Sequence, residues 1–510
     1  MASSSDLRPP TAAAHRLDRA DPAWRPLAAL AAAVTALLVA VSGGYGYHRD
    51  ELYFLACGRH LAWGYPDQPP LVPLLARVMS TVWPDSLVAL RLPSALATGA
   101  VLVLTGLLAR ELGADAAGQL LAAGCLAVSA LLLAVGHLLS TATIDLLVWT
   151  ALSWLVVRIL RGGDERGWLL VGLVCGVGLL ANNLVLFLAF GLFIGVLIAG
   201  PRRVLASRWL WAGAVLAIAV WAPNLVWQAT HGWPQLELGR AIAAGSSGTS
   251  KPRLLFLPFQ LVLISPVLVP VWGAGLVRLL RDPALVRVRC LGWAYPVLAL
   301  VFLLTGGKPY YLGGLYPALL AAGAVPMMSW LRRGGSRLRR VLLPALVLSA
   351  AVSVVLMLPV VPVADLHATP IVDINYDAGE TVGWPLFART VAAAYESLPA
   401  AQRVDAIVLA GNYGEAGAID HYGPGLGLPP VYSGHNGYGL WGPPPDTGGA
   451  TIAVGIPRKR LDRLFGTVQL AGSIDNGVGL DNEEQGTPVW ICRDQLSSWA
   501  RSWPQLLRIG

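Results

Sequence analysis

Charge is what this sequence has least of. Only 13% of its 510 residues are Asp, Glu, Lys or Arg, against 55% hydrophobic, where a soluble domain ordinarily carries about 25% charged residues. A water-borne fold is thereby excluded for most of the chain. Cysteine is scarce as well: Cys125, Cys175 and Cys290 lie in apolar runs and Cys57 and Cys492 outside them, five in all. No pair has the spacing of a disulfide framework or a zinc site. There is no Walker loop, HExxH pair or GxSxG elbow, and isolated glycines in the apolar runs suit helix packing rather than a cofactor. The net charge of +8 does not point to nucleic acid, because Lys and Arg collect in short loops between apolar runs.

What the sequence has is a series of those runs, each near the ~20 residues that cross a hydrocarbon core as a helix. They fall near 25–44, 87–109, 116–136, 140–161, 167–181, 184–200, 209–228, 253–280, 288–304, 312–331 and 340–361, about eleven spans of a polytopic α-helical membrane protein. Residues 1–24 lack apolar periodicity and read as a disordered cytoplasmic tail. A signal peptide is the competing reading of Leu27 to Val41, but that run starts late and leads into Ser-Gly-Gly-Tyr instead of a small-residue cleavage site.

Basic residues orient the spans. With the N-terminus cytoplasmic, the inward loops hold Arg110; Arg158, Arg161 and Arg166; Arg202, Arg203 and Arg208; Arg278, Arg281, Arg287 and Arg289; and Arg332, Arg333, Arg337, Arg339 and Arg340. Outward loops hold fewer, among them Arg240, Lys251, Arg253 and Lys308. The positive-inside rule then puts the C-terminal residues outside. The implied division is a transmembrane part over 25–363 with a first outward loop at 45–86, and a soluble extracytoplasmic α/β domain over 364–510. In the latter, strand-like runs at Ala406 to Ala410, Thr451 to Ile456 and Val489 to Cys492 alternate with helix-like stretches at Thr381 to Leu398 and Arg458 to Phe465.

Candidate chemistry gathers in the outward loops. Asp50 to Trp63 reads as an amphipathic helix with Leu52, Leu55, Ala56 and Ala62 on one side, stopped by Gly64 and Pro66 and lying along the membrane surface. His48, Arg49, Asp50 and Glu51 stand at its start, where negative charge is favoured. Asp50 either caps the helix or, clustered with an imidazole and a guanidinium at a sheltered interface, performs acid–base chemistry. Asp67 and Gln68 open a Pro-rich turn or supply polar contacts. His137 and Asp145 fall on one face with Thr141 if that stretch is helical. Lys308, Tyr310 and Tyr311 suit a phosphate flanked by an apolar chain, or else an interfacial belt with a snorkelling lysine.

Three segments carry a family resemblance: His48-Arg49-Asp50-Glu51-Leu52-Tyr53, its continuation Trp63-Gly64-Tyr65-Pro66-Asp67-Gln68-Pro69-Pro70, and Gly307-Lys308-Pro309-Tyr310-Tyr311. The chain resembles the GT-C membrane glycosyltransferases, in particular the bacterial branch related to protein O-mannosyltransferases and aminoarabinose lipid A transferases. The C-terminal part matches more loosely, through Gly411-Asn412-Tyr413-Gly414-Glu415-Ala416. The resemblance implies an inverting transferase of the bacterial inner membrane that takes a sugar from a polyprenyl-phosphate donor to a cell-envelope acceptor. Asp50 would be the general base, with Glu51 in support, and His48, Arg49, Asp67, Gln68, His137, Asp145, Lys308, Tyr310 and Tyr311 would bind substrate. No metal cluster is evident, and the class leaves a divalent ion open. Many relatives carry a cation near the turn where this chain has Asn182-Asn183, so phosphate binding falls first to Lys308. A transporter of polyprenyl-linked glycan would place its polar groups near mid-membrane; a non-catalytic envelope-assembly protein would not depend on Asp50.

Overall fold

The structure is a computed structural model that describes residues 20–245 and 253–510, without the side chains of 336–339. Residues 1–19 of the expected tail, Lys251, and the side chains of Arg337 and Arg339 lie outside the described residues.

Lipid offers no partner to backbone N–H and C=O groups, so the apolar runs satisfy them internally as helices. Among the described residues, seven helices are long and apolar enough to cross a membrane, and two sharply bent pairs raise the number to nine. The pairs are Ala116–Ala127 with Ala130–Gly136, bent by 64°, and Arg253–Ile264 with Pro266–Arg281, bent by 85°. In the first, Ser129 starts a new helix by accepting from the Leu132 amide; in the second, Pro266 has no amide hydrogen to continue the ladder. The fifth and sixth expected spans are Gly167–Leu179 and Leu184–Ala199, which at 13 and 16 residues are short for a crossing. The eleven expected segments therefore resolve into seven to nine that meet the length requirement and these two.

Three of the basic loops meet at one end of the bundle. Arg110 donates to the Ala20 carbonyl at 2.6 Å, Arg278 donates to the Leu112 carbonyl at 2.8 Å, and Arg332 pairs with Asp115. Helix Leu87–Glu111 runs from that end to the other, where Arg91 lies beneath the first loop.

Over the Arg91 end sits a five-stranded sheet formed by β1 (Ile407–Ala410), β2 (Val431–Tyr432), β3 (Thr451–Val454), β4 (Phe465–Ser473) and β5 (Pro488–Gln495), in the order β2-β1-β3-β5-β4. The first three strands are parallel, and β5 runs antiparallel to both β3 and β4. The expected runs at 406–410, 451–456 and 489–492 are strands. The elements that went unread include β2, too short for a pattern; β4, mostly exposed, which begins at Phe465 where the expected helix 458–465 was to end; and the helices Tyr413–Tyr422 and Trp499–Leu506.

Helix Tyr413–Tyr422 changes the first loop. The expected surface helix forms over Arg49–Arg59 and ends at His60, short of Gly64. It is covered by protein on more than one side: Arg49 and every residue from Glu51 to Gly58 are buried. Helix Tyr413–Tyr422 covers it, and glycines make the approach possible. A Cβ at Gly414 would stand 2.9 Å from the Arg49 Cβ, and one at Gly417 would stand 3.0 Å from the Leu52 backbone. One apolar cluster consequently joins Leu52, Tyr53, Ala56 and Val72 of the loop to Trp384, Phe387, Val408 and Ile452 of the C-terminal part.

Candidate active site

The N-terminus of helix Arg49–Arg59 is built by a capping box. His48 Nδ1 accepts the Asp50 amide at 3.1 Å, and Glu51 Oε2 accepts the His48 amide at 2.9 Å. His48, not Asp50, is thus the cap, which leaves the Asp50 carboxylate free for other contacts. Capping also puts the proton of a neutral His48 on Nε2, 3.7 Å from Asp377 Oδ1. Burial disfavours charge on this ring and Asp377, Asp50 and Glu51 favour it, while the cap holds only as long as Nδ1 is unprotonated.

Glu51 supports the helix from below. Arg91 donates to both of its oxygens, at 2.9 and 2.8 Å, and the Leu139 amide adds a bond of 2.9 Å. The same guanidinium holds the carbonyls of Ser42 and Gly46 at 2.7 Å each. With every oxygen occupied and the side chain sealed, Glu51 has no face for a substrate. Its neighbour differs. The Asp50 side chain keeps 42% of its surface exposed and accepts one bond, from Tyr413 Oη at 2.8 Å.

Arg49 turns the other way. It donates to Glu380 at 2.9 Å and to Tyr376 at 3.2 Å, also pairs with Glu483, and lies 5.1 Å over the Tyr413 ring. Its guanidinium thus ties the first loop to the C-terminal part.

Asp67 returns to the same surface. It accepts from Tyr53 Oη at 2.8 Å, and that hydroxyl accepts the Gly437 amide at 2.9 Å. Burial pushes the Asp67 carboxyl up to about 7; the Tyr53 bond opposes this and the charge on Asp50 adds to it. Asp67 is therefore more than a turn opener. Gln68 is buried and closes the turn with its backbone carbonyl, which accepts the Tyr65 amide at 2.9 Å.

Lys308 precedes the short turn Pro309–Leu315. Burial lowers its ammonium from the ordinary lysine range, but Asp50 and Asp377 are near enough to favour its charge. Tyr310 is 40% exposed and meets Tyr311 edge-on, with centroids 5.1 Å apart. His137 and Asp145 do not share a helical face, because Ser140 caps a new helix between them. His137 is buried; that and the nearby Arg91 push it down to about 4, so it is neutral. Asp145 lies inside helix Thr141–Leu160 and accepts from Trp149 at 3.0 Å. Among the described residues no group of three or more His, Cys, Asp and Glu is gathered as a metal would need.

The site thus combines an accessible carboxylate at Asp50, a second carboxyl at Asp67 held up near neutrality, and a lysine, Lys308, whose charge Asp50 favours. A family model described as dolichyl-phosphate-mannose-protein mannosyltransferase matches residues 67–227. The structure is similar over 91% of its length to 97% of ArnT from Cupriavidus metallidurans bound to undecaprenyl phosphate, with a TM-score of 0.61 at 14% identity. The fold is that of the GT-C glycosyltransferases. The apo form of the same ArnT gives a TM-score of 0.59 with the same coverage, while no curated protein matches by sequence. The GT-C likeness read from the first loop is thereby borne out, as is the multi-pass membrane architecture.

Sequence reasoning missed Arg91, Tyr413, Asp377, Glu380 and Glu483. Arg91 had a signal, a charge within the run Leu87-Val88-Ala89-Leu90-Arg91-Leu92, where an intramembrane cation needs a partner. Tyr413 stood in a segment already singled out. The three carboxylates had no local signal, because only the docking of distant segments brings them to His48 and Arg49.

Proposed function

We propose that this protein is an inverting glycosyltransferase that moves a sugar from a polyprenyl-phosphate donor to an envelope lipid, polysaccharide or protein at the outer face of the bacterial inner membrane. In this reading residues 1–24 are cytoplasmic, 25–363 hold the donor, and 364–510 lie outside. The observation that carries it is the contrast between neighbours: Glu51 is saturated by Arg91, whereas Asp50 is exposed by 42% and favours the charge of Lys308. An exposed carboxylate can take a proton, and a cation at the same surface can take a leaving phosphate.

The reaction would proceed by direct displacement. Asp50 accepts the proton of the acceptor hydroxyl or amine while that atom forms a bond to the sugar's anomeric carbon. The bond from that carbon to the phosphate oxygen breaks, and its electron pair leaves with polyprenyl phosphate, whose charge Lys308 stabilises. Attack opposite the leaving group inverts the carbon. Tyr310 and Tyr311 flank the lipid where its headgroup meets the apolar chain, and Asp67 and Gln68 contact the sugar or acceptor.

The test is transfer by the purified protein, reconstituted with radiolabelled undecaprenyl-phosphate sugars and extracted envelope acceptors. Asp50→Asn should cut the rate by about 10²-fold or more, the usual contribution of a general base. Wild-type rates in Asp50→Asn, or no transfer from any donor, would refute the proposal.

A further inference from the structure

The C-terminal part reaches the reaction centre at two points. Tyr413 Oη donates to Asp50 Oδ1 at 2.8 Å, and the Gly437 amide, through Tyr53 Oη, steadies Asp67 Oδ1. Both residues follow parallel strands, Tyr413 after β1 and Gly437 after β2, at the carboxyl edge where open α/β sheets usually take ligands. Here that edge receives helix Arg49–Arg59 instead.

The Tyr413 ring has little freedom. It is the first residue of its helix, whose cap Asn412 accepts the Glu415 amide at 2.9 Å, while Glu415 accepts the amides of Gly411 and Asn412 at 2.7 and 3.0 Å. Arg49 lies over the ring, and the rings of Tyr53 and His435 stand 4.8 and 5.0 Å from it. Burial and the Asp50 charge hold its phenol well above the ordinary value, so at neutral pH the hydroxyl is a donor and keeps its proton. A fixed donor on one carboxylate oxygen sets the torsion of the whole group, and base catalysis depends on geometry before basicity.

We propose that Tyr413 is a positioning residue: it fixes Oδ1 of Asp50 so that Oδ2 faces the acceptor, which makes the C-terminal part a working half of the reaction centre. This rests on the transfer reading above. Tyr413 exchanges no proton during the reaction; the acceptor proton goes to Oδ2.

The test is steady-state transfer by the full chain in vesicles, with the radiolabelled undecaprenyl-phosphate sugar that serves the wild type. Tyr413→Phe should lower kcat by about 10- to 100-fold, the usual effect of small misplacement, with donor KM changed less than about twofold. In an Asp50→Glu background, where the longer arm already leaves the hydroxyl's line, the same change should cost less than about threefold. Undecaprenyl phosphate binding by Tyr413→Phe should match wild type, which separates positioning from misfolding. An unaltered kcat, a loss confined to KM, lost lipid binding or an undiminished loss beside Asp50→Glu would each overturn the role of Tyr413. A wild type inactive with every donor would remove the transfer reading itself, and this role with it.

Discussion

Glu51 and Arg91 form a two-bond ion pair, 2.8 and 2.9 Å long, in which each side chain is 1% exposed. Such a pair adds little stability relative to an apolar one, but losing one partner strands a buried charge at a cost of about 3–5 kcal/mol. Glu51→Gln should therefore lower the melting midpoint in detergent sharply, and Glu51→Met with Arg91→Met should not restore it, because the amides of His48 and Leu139 and the carbonyls of Ser42 and Gly46 lose their partners as well. Burial disfavours the Glu51 charge, but Arg91 outweighs it and keeps the carboxyl below its ordinary range. The pair's contribution is then complete above the ordinary carboxylate value and fades as pH falls through the lowered one. A Glu51→Gln variant as stable as wild type at pH 7 would contradict this account.

The approach of helix Tyr413–Tyr422 to the first loop depends on Gly417. A methyl there would press on the Leu52 backbone carbon at 3.0 Å and the Tyr53 nitrogen at 3.2 Å, atoms that cannot rotate away. Gly417→Ala should cost about 1–3 kcal/mol, as overpacking does, and expose the segment between the two parts to limited proteolysis. Gly425→Ala is the control, since nothing lies within 4 Å of its added carbon. Equal protease resistance in the two variants would mean that the helices do not pack so closely.

Asp67 titrates in the opposite sense from Glu51. Burial raises its carboxyl to about 7, while the unfolded chain ionises near 3.8. The unfolded state therefore releases its proton first, and the fold loses stability as pH rises from the lower value through the upper. Asp67→Asn should melt at or above wild type at pH 8, with the advantage shrinking at pH 5.5. A deficit that grows toward pH 8 would show that the ionised carboxylate is itself stabilising.

These tests turn on contacts of unequal legibility. The apolar runs gave the helices because lipid imposes one solution on them, and the loop motifs gave the GT-C likeness. Periodicity could not say which of Asp50 and Glu51 was sealed, since that depends on Arg91, 40 residues away. Nor could it show His48 as the cap, a task usually taken by Ser, Thr, Asp or Asn. The burial of helix Arg49–Arg59 was hidden for a related reason. Its second buried face is supplied from residue 413 onward, and amphipathicity within one segment carries no record of so distant a partner. The partners of Arg49 were equally out of reach: Glu380 and Glu483 arrive from the other end of the chain.

Phosphate recognition in the transfer reading falls to Lys308. Its charge is opposed by burial and favoured by Asp50 and Asp377, and a bound phosphate would favour it further. A charge-assisted bond contributes about 1.5–3 kcal/mol, so Lys308→Gln should weaken undecaprenyl phosphate binding by about 10- to 100-fold, measured by native mass spectrometry or fluorescence titration in nanodiscs. Lys308→Arg should retain most of the affinity, because a point charge and not a fork is at issue. The loss should be larger for the phosphate than for undecaprenol, which has the same chain without the anion. If both lipids weaken equally, Lys308 acts on the apolar chain or on folding, and the leaving phosphate is held by another group.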